Sequence, residues 1–181
     1  LIYEEKDERF TVGMGGLTTD EKFYCLGTSD HNTTETHYFS ADEEKIKLKL
    51  FQKRTEKIRY SIDSWQGYFY IHTNQDKSPD FKICRCKHQN INNWEDFIPA
   101  KKEVIIGGYD FLDDWMIRGE TSNALPKLFV RNLKNNKEEE AQDALCGRQQ
   151  GCRLEGLADE EDADEFPDRQ GWHDHRRGRW V

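Results

Sequence analysis

Two groups of histidines with nearby carboxylates are the residues of this sequence best suited to hold a metal ion. One comprises Asp30, His31, Glu35 and His37, and the other is the His-Asp-His string at residues 173–175. Zinc ligands usually follow tight, characteristic spacings, and the first group has none of these. We therefore interpret residues 30–34 as a polar loop between strands and residues 173–175 as part of a surface tail. No metal site is predicted.

The cysteines are the next candidates for chemistry. The chain has five, an odd number: Cys25, Cys84, Cys86, Cys146 and Cys152. Their spacings fit neither a disulfide framework nor paired metal-binding knuckles, so we expect reduced thiols in a cytoplasmic protein. Within the Cys84-Arg85-Cys86 string we expect one buried and one exposed thiol, an arrangement that disfavours a shared metal.

Phosphate-binding and nucleophilic motifs are absent from the sequence. Gly13, Gly15 and Gly16 are followed by neither a helix nor a Lys-Ser/Thr pair, so we assign them to a strand end or bulge, as we do Gly107 and Gly108. No serine lies in a Gly-x-Ser-x-Gly string, the turn that exposes the nucleophile of many hydrolases. We therefore assign no catalytic residue and no cofactor.

The elements that carry these residues follow a repeat of about 46 residues. First strands begin at Phe10, Ile58 and Val104, at intervals of 48 and 46 residues. Second strands begin at residues 23, 68 and 115 and third strands at residues 36, 81 and 128, each set at intervals of 45 and 47. Polar turns at residues 19–22, 64–67 and 112–114 separate first from second strands. Four strands rich in aromatic and β-branched residues per repeat indicate a β-propeller.

The fourth strands are less regular. Residues 46–51 and 94–98 supply them in the first two units, whereas residues 134–138 of the third unit form a polar string in place of a strand. We predict an all-β protein, a partial β-propeller over residues 1–137 with about three four-stranded antiparallel blades. The blades cover approximately residues 9–53, 57–99 and 103–137, and the last is expected to be incomplete.

Composition changes abruptly near residue 140. All 15 lysines and all nine asparagines precede residue 141, and the remainder has an acidic run at residues 159–165. Such a segment buries too little apolar surface to order itself, so we expect residues 138–181 to be a disordered, non-native or fused tail. The net charge of −8 argues against a nucleic-acid partner. No apolar run approaches the roughly 18 to 20 residues of a membrane span, so no membrane partner is predicted.

Five strings, in their order and spacing, carry a family resemblance. They are YEEKDERF at residues 3–10, YSID at 60–63, YFYIHTN at 68–74, DFKI at 80–83 and NWEDFIP at 93–99. Together they resemble the propeller of oligopeptidase B, or protease II, in the prolyl oligopeptidase family of serine peptidases. The similarity covers residues 1 to about 137, and the tail departs from it.

The resemblance implies a seven-bladed propeller set over an α/β-hydrolase domain that cleaves short peptides after basic residues. The propeller gates access to that domain, and the hydrolase domain, which would be the partner of this chain, is absent from the sequence. We therefore interpret the chain as a non-catalytic propeller fragment, inactive alone. The alternative is a propeller scaffold that binds proteins through its loops without a peptidase domain.

Overall fold

Twelve strands form three antiparallel sheets in the computed structural model, which describes residues 1–141. Each sheet has four strands in chain order, and we call them blades 1, 2 and 3. Blade 1 contains β1 (Thr11–Leu17), β2 (Phe23–Ser29), β3 (Thr34–Ser40) and β4 (Lys49–Gln52). Blade 2 contains β5 (Tyr60–Trp65), β6 (Tyr68–Thr73), β7 (Lys82–Lys87) and β8 (Glu95–Ile98). Blade 3 contains β9 (Val104–Leu112), β10 (Trp115–Ser122), β11 (Leu125–Asn132) and β12 (Glu138–Glu140). The predicted fold class is confirmed.

The repeat also appears in the backbone conformation of the tight turns. Glu21, Gln66 and Asp113 have φ values of 58°, 48° and 47°, in the left-handed region, at equivalent places between the first and second strands. Tight hairpins need this conformation because it matches the twist of the flanking strands. The polar residues at these turns tolerate it, so all three predicted turns form.

Blade 2 lies between the other two blades, and its strands are accordingly buried on both faces. Successive side chains of a strand point to opposite faces. In β6, Phe69 and Ile71 therefore pack toward blade 1, while Tyr70 packs toward blade 3. The blade 1–blade 2 core also contains Tyr38 and Phe51, and the other core contains residues such as Ile106 and Met116. Two aromatic-rich cores thus join three blades.

Glycines lie at irregularities in the first strands of blades 1 and 3, as predicted. The β1–β2 register shifts between Met14 and Gly16, and Gly16 has a φ of 87°. A Cβ atom at Gly107 would lie 3.0 Å from the carbonyl oxygen of Gly119. Both positions therefore require glycine for a backbone reason, and neither forms a phosphate loop.

The prediction that the third blade is incomplete is wrong, and so is the domain boundary at residue 137. Glu138–Glu140 form β12, which pairs with β11. The preceding polar string is a turn, because the Asn132 side-chain oxygen accepts hydrogen bonds from the backbone of Lys134 and Asn135. The predicted tail from residue 142 onward lies outside the described residues.

Two fourth strands are shorter than expected. The strand predicted at residues 46–51 begins at Lys49 and ends at Gln52, and the one predicted at 94–98 begins at Glu95. Lys49 is the first residue of β4 that pairs with β3, so the alternation of residues 46–48 has no neighbouring strand to support it. Within residues 1–141, no helix is long and apolar enough to cross a membrane.

Candidate functional site

The turn between β1 and β2 connects blade 1 to the first strand of blade 2. The Thr19 backbone N–H donates to Asp63 Oδ1 at 2.8 Å, and the Thr19 hydroxyl donates to Asp63 Oδ2 at 2.6 Å. The Asp20 N–H donates to the Ser64 carbonyl oxygen at 3.2 Å. These contacts, 44 residues apart in sequence, hold the two blades in register.

A serine, a histidine and an aspartate meet at the same junction. Ser64 Oγ lies 2.8 Å from Asp20 Oδ2 and 2.8 Å from His88 Nε2. A carboxylate only accepts hydrogen bonds, so the Ser64 hydroxyl donates to Asp20 and accepts from His88. Burial lowers the pKa of His88, which favours its neutral form.

This cluster is not a catalytic triad. In a triad the imidazole stands between the serine and the carboxylate and takes the hydroxyl proton. Here Ser64 stands in the middle, and its side chain has no solvent exposure. The hydroxyl therefore links two blades.

The blade 2–blade 3 junction relies on backbone carbonyl oxygens as acceptors. Trp65 Nε1 donates to the Asp113 carbonyl at 2.8 Å, and the Tyr109 hydroxyl donates to the Tyr70 carbonyl at 2.9 Å. His72 Nε2 lies 2.8 Å from the Ile106 carbonyl, which fixes the proton on that nitrogen. Burial raises the pKa of Tyr109, so its hydroxyl remains a donor.

A buried arginine anchors the last strand of blade 3. Arg118 is fully buried, and its guanidinium donates to Glu120 Oε1 at 2.7 Å and to Glu138 Oε1 at 2.8 Å. Lys101 Nζ donates to both oxygens of Glu120, to Oε1 at 2.7 Å and to Oε2 at 3.0 Å, and the Phe129 ring lies 4.8 Å from the Arg118 guanidinium carbon. Burial opposes the charge of Arg118, but the hydrogen bonds that it donates to the two carboxylates outweigh this effect and raise the pKa of Arg118. The hydrogen bond that Glu138 accepts from Arg118 in turn lowers the pKa of Glu138.

The first group of candidate metal ligands is divided among separate partners. Asp30 Oδ1 accepts the backbone N–H groups of Asn32 and Thr33, which closes the loop between β2 and β3. Glu35 binds Arg54 at 3.0 Å, while His37 packs against Tyr3 with ring centroids 4.9 Å apart. Among residues 1–141, no three His, Cys, Asp or Glu side chains are grouped to hold a metal ion. Residues 173–175 lie outside the described residues.

The expectation of one exposed thiol is wrong. Cys84 and Cys86 are both 2% exposed, because residues two apart on a strand share one face, which here packs toward blade 1. Burial raises the pKa of Cys84 to about 12 and that of Cys86 to about 11, and it raises that of Cys25 to about 12. All three are free, unreactive thiols at neutral pH.

Sequence reasoning missed the side chains that join the blades. Ser64 and His88 are 24 residues apart, and Arg118 and Glu138 are 20 residues apart. No local motif marks either pair. The only usable signal was the repeat itself, which places the turn of one blade beside the turn of the next.

Three consecutive four-stranded antiparallel sheets, joined face to face by aromatic cores, define a β-propeller class of protein. The sequence model of the family described as prolyl oligopeptidase, N-terminal β-propeller domain, matches residues 1–163 of this chain. The chain therefore belongs to this family. The match extends past the composition change, and the interpretation of residues 142–181 as an added tail stays a prediction.

Known relatives are much longer than this chain. Dipeptidyl aminopeptidase BI of Pseudoxanthomonas mexicana is 26% identical over 132 residues, which cover 72% of this chain and 18% of that protein. Protease 2 of Moraxella lacunata is 28% identical over 131 residues, with 72% and 19% coverage. The structure of oligopeptidase B from Leishmania major gives a TM-score of 0.70 at 15% identity and covers 77% of this chain and 21% of that one. The chain thus spans about a fifth of the length of these relatives.

Proposed function

We propose that this chain is a non-catalytic part of the propeller of an oligopeptidase B-like serine peptidase. In the intact enzyme it would form part of the wall that controls access of short peptides to a hydrolase domain. The observation that carries this proposal is the face-to-face packing of three family-type blades without a catalytic constellation among residues 1–141. A propeller contributes shape and rigidity, so its role in such an enzyme is steric.

The junctions between the blades support a gating role. A gate must resist deformation while the domains open and close as units. Phe69 has no solvent exposure, and its ring packs within 5.3 Å of both Tyr38 and Phe51 of blade 1. The Thr19–Asp63 and Trp65–Asp113 hydrogen bonds add directional contacts at both junctions. Peptides too large for the opening would therefore be excluded rather than admitted by bending of the wall.

Preference for basic residues is the finer part of the proposal. It rests on the resemblance to oligopeptidase B, and the net charge of −8 would attract basic peptides by its long-range field. The gene tests the peptidase assignment itself. A downstream Gly-x-Ser-x-Gly string followed by Asp and His supports the peptidase, whereas further blades without a hydrolase segment support the interaction scaffold instead.

The biochemical test uses the full-length gene product. We expect it to release chromophore from a short peptide ending in arginine at least tenfold faster than from the glutamate analogue, and to leave a folded protein uncut. A Phe69→Ala variant, with its loosened junction, should admit longer peptides, while Leu125→Ala, at an exposed position, should not. Equal cleavage of both short peptides would refute the basic preference, and unchanged size selection in Phe69→Ala would refute the gate.

We also propose a cytoplasmic location. The free thiols of Cys25, Cys84 and Cys86 support it, because reducing compartments preserve unpaired cysteines. Cell fractionation with an antibody against the chain tests it. Recovery mainly from a secreted or periplasmic fraction would contradict the proposal.

A further inference from the structure

Equivalent positions of the second strands show which face of a blade another blade covers. Tyr24, Phe69 and Met116 lie 45 and 47 residues apart, at the same place in β2, β6 and β10. Phe69 and Met116 have no solvent exposure, because the preceding blade packs against them. Tyr24, which has no preceding blade among residues 1–141, is 37% exposed. We call this side of each blade its rear face and the opposite side its front face.

The rear face of blade 1 is a largely apolar surface. Directly paired residues of neighbouring strands share a face, so the strand register defines rows across the blade. One row contains Leu17, Tyr24 and Phe39, and the next contains Met14, Leu26, His37 and Leu50. Met14 is 67% exposed, whereas Ile62 and Tyr109, which pair with the equivalent second-strand positions in blades 2 and 3, pack into the two cores. Blade 1 therefore presents an open version of the surface that receives a blade at both existing junctions.

The front face of blade 3 is the matching open surface. Ile117 is equivalent to Cys25 and Tyr70, and both of these residues are buried under the next blade. Ile117 itself is only partly buried. Leu112 is 63% exposed, whereas Trp65, its equivalent in blade 2, packs against blade 3. Within residues 1–141, the front face of blade 3 thus lacks the covering that the other two front faces have.

Neither open face has a free charge at its centre. On the front face of blade 3, Asp110 and Glu139 lie on the first and last strands, at the two ends of a row. The apolar residues between and beside them are Ile105, Trp115, Ile117, Leu128 and Val130. On the rear face of blade 1, burial lowers the pKa of His37, and Glu35 is paired with Arg54 at 3.0 Å. Both faces are therefore suited to an apolar partner surface.

The two open faces differ, so identical copies that use them must associate head to tail. Inside the chain, the front face of one blade packs on the rear face of the next at both junctions. A head-to-tail contact between copies either closes into a ring or continues into an open polymer. Two copies contribute six blades, and propellers typically have four to eight blades. In such a ring both contacts join the same two chains, so the first contact raises the effective concentration for the second.

We propose that two copies of this chain form a closed six-bladed ring, in which the front face of blade 3 of each copy packs on the rear face of blade 1 of the other. Tyr24 then has the same surroundings as Phe69 and Met116, and Ile117 has those of Tyr70. The inference is independent of the peptidase function, since it concerns the 181-residue chain by itself. In a longer gene product, further blades would compete for the same two faces.

Sedimentation equilibrium of the full 181-residue chain tests the ring. We expect one species of about 43 kDa, twice the 21.5 kDa of a single chain, at concentrations from about 1 to about 100 µM. A closed ring leaves neither face open, so the mass should not rise further at the highest concentrations. A monomer throughout, or a mass that keeps rising with concentration, would overturn the proposal.

Two variants place the contact on the two open faces. Met14→Glu adds a charge to the rear face of blade 1, and Leu112→Glu adds one to the front face of blade 3. A carboxylate is costly to bury without a partner, so each variant should raise the dissociation constant of the dimer at least tenfold. Leu125→Glu is the matched control, because Leu125 is 64% exposed and lies on the rear side of β11, outside both open faces. Its dissociation constant should change less than twofold.

A mixture of the two variants separates head-to-tail contact from contact between like faces. The Met14→Glu chain keeps an intact front face, and the Leu112→Glu chain keeps an intact rear face, so one junction can form between them. At about 100 µM we expect the equimolar mixture to form a dimer under conditions in which neither variant does so alone. Both side chains are exposed in the single chain, so its folding does not depend on them. Dimers of Leu112→Glu alone, no association in the mixture, or an equal loss in Leu125→Glu would each overturn the proposal.

Discussion

Replacing Phe69 by alanine tests whether the blade 1–blade 2 core carries the stability of the protein. The ring has no solvent exposure and lies 4.6 to 5.3 Å, centroid to centroid, from Phe23, Tyr38, Phe51 and His88. Removing a buried phenylalanine ring costs about 3 to 5 kcal/mol, because transfer energy is lost and a cavity remains. Contacts on several sides limit collapse of the cavity, so we expect about 4 kcal/mol.

Urea denaturation of the full chain, followed by tryptophan fluorescence, measures this loss. With a slope of about 2 kcal/mol per molar urea, the midpoint should fall by about 2 M. Leu125→Ala removes a side chain that is 64% exposed and should change the free energy of unfolding by less than about 0.5 kcal/mol.

If Phe69→Ala is too unstable to fold, Phe69→Leu provides a second measurement, with an expected loss of about 1 to 2 kcal/mol. A loss below about 1 kcal/mol in Phe69→Ala would show that the two blades do not share a cooperative core. The same result would remove the basis for treating the propeller wall as rigid.

Four further measurements test other features. Glu138→Ala should lower the free energy of unfolding by about 1 to 2 kcal/mol and speed amide exchange in β11. Glu139→Ala, at an exposed position, should change both little. Equal effects of the two variants would contradict the role of the Arg118–Glu138 contact as an anchor of β12. Hydrogen bonding to Arg54 lowers the pKa of Glu5 to about 2, and the contact therefore stabilises the folded state above pH 4.5 and is lost as pH falls toward 2. As the pH falls from 4.5 toward 2, amide exchange of residues 3–10, corrected for intrinsic rates, should become faster. In Glu5→Gln this exchange should already be fast at pH 7. Burial lowers the pKa of His88 below 6.5, so protonation favours the unfolded state and stability should fall as pH drops below 6.5; His88→Gln should show a smaller fall, and an unchanged fall would exclude this histidine as a source. The three buried thiols of the blade 1–blade 2 core should resist iodoacetamide at pH 8 in the native chain and react in urea, as read by peptide mass spectrometry.

The blades could be predicted from the sequence because the repeat sets the number of residues between equivalent strands. Strand β6 was expected to begin at residue 68 and does so, since its aromatic and β-branched residues suit a strand buried on both faces. β12 was missed because its three residues are all glutamates, which by themselves favour neither a strand nor burial. Its support is Arg118, on a different strand, and the contact depends on the tertiary fold.

The candidate site was harder to predict for the same reason. Ser64 was assigned to a polar turn, and Thr19 and Asp20, the partners of Asp63 and Ser64, lie 44 residues earlier. The error at Cys84 and Cys86 had another origin, since two residues separated by one belong to the same face of a strand.

The acceptors at the blade 2–blade 3 junction have a consequence for how such a protein can diverge. Trp65, His72 and Tyr109 each bond to a main-chain oxygen of the facing blade. Every amino acid supplies that oxygen, so the receiving residue can be exchanged over evolutionary time without losing the bond. A substitution on one side of the junction then needs no compensating substitution on the other side. Such a junction is compatible with a fold that this chain shares with a solved structure at only 15% sequence identity.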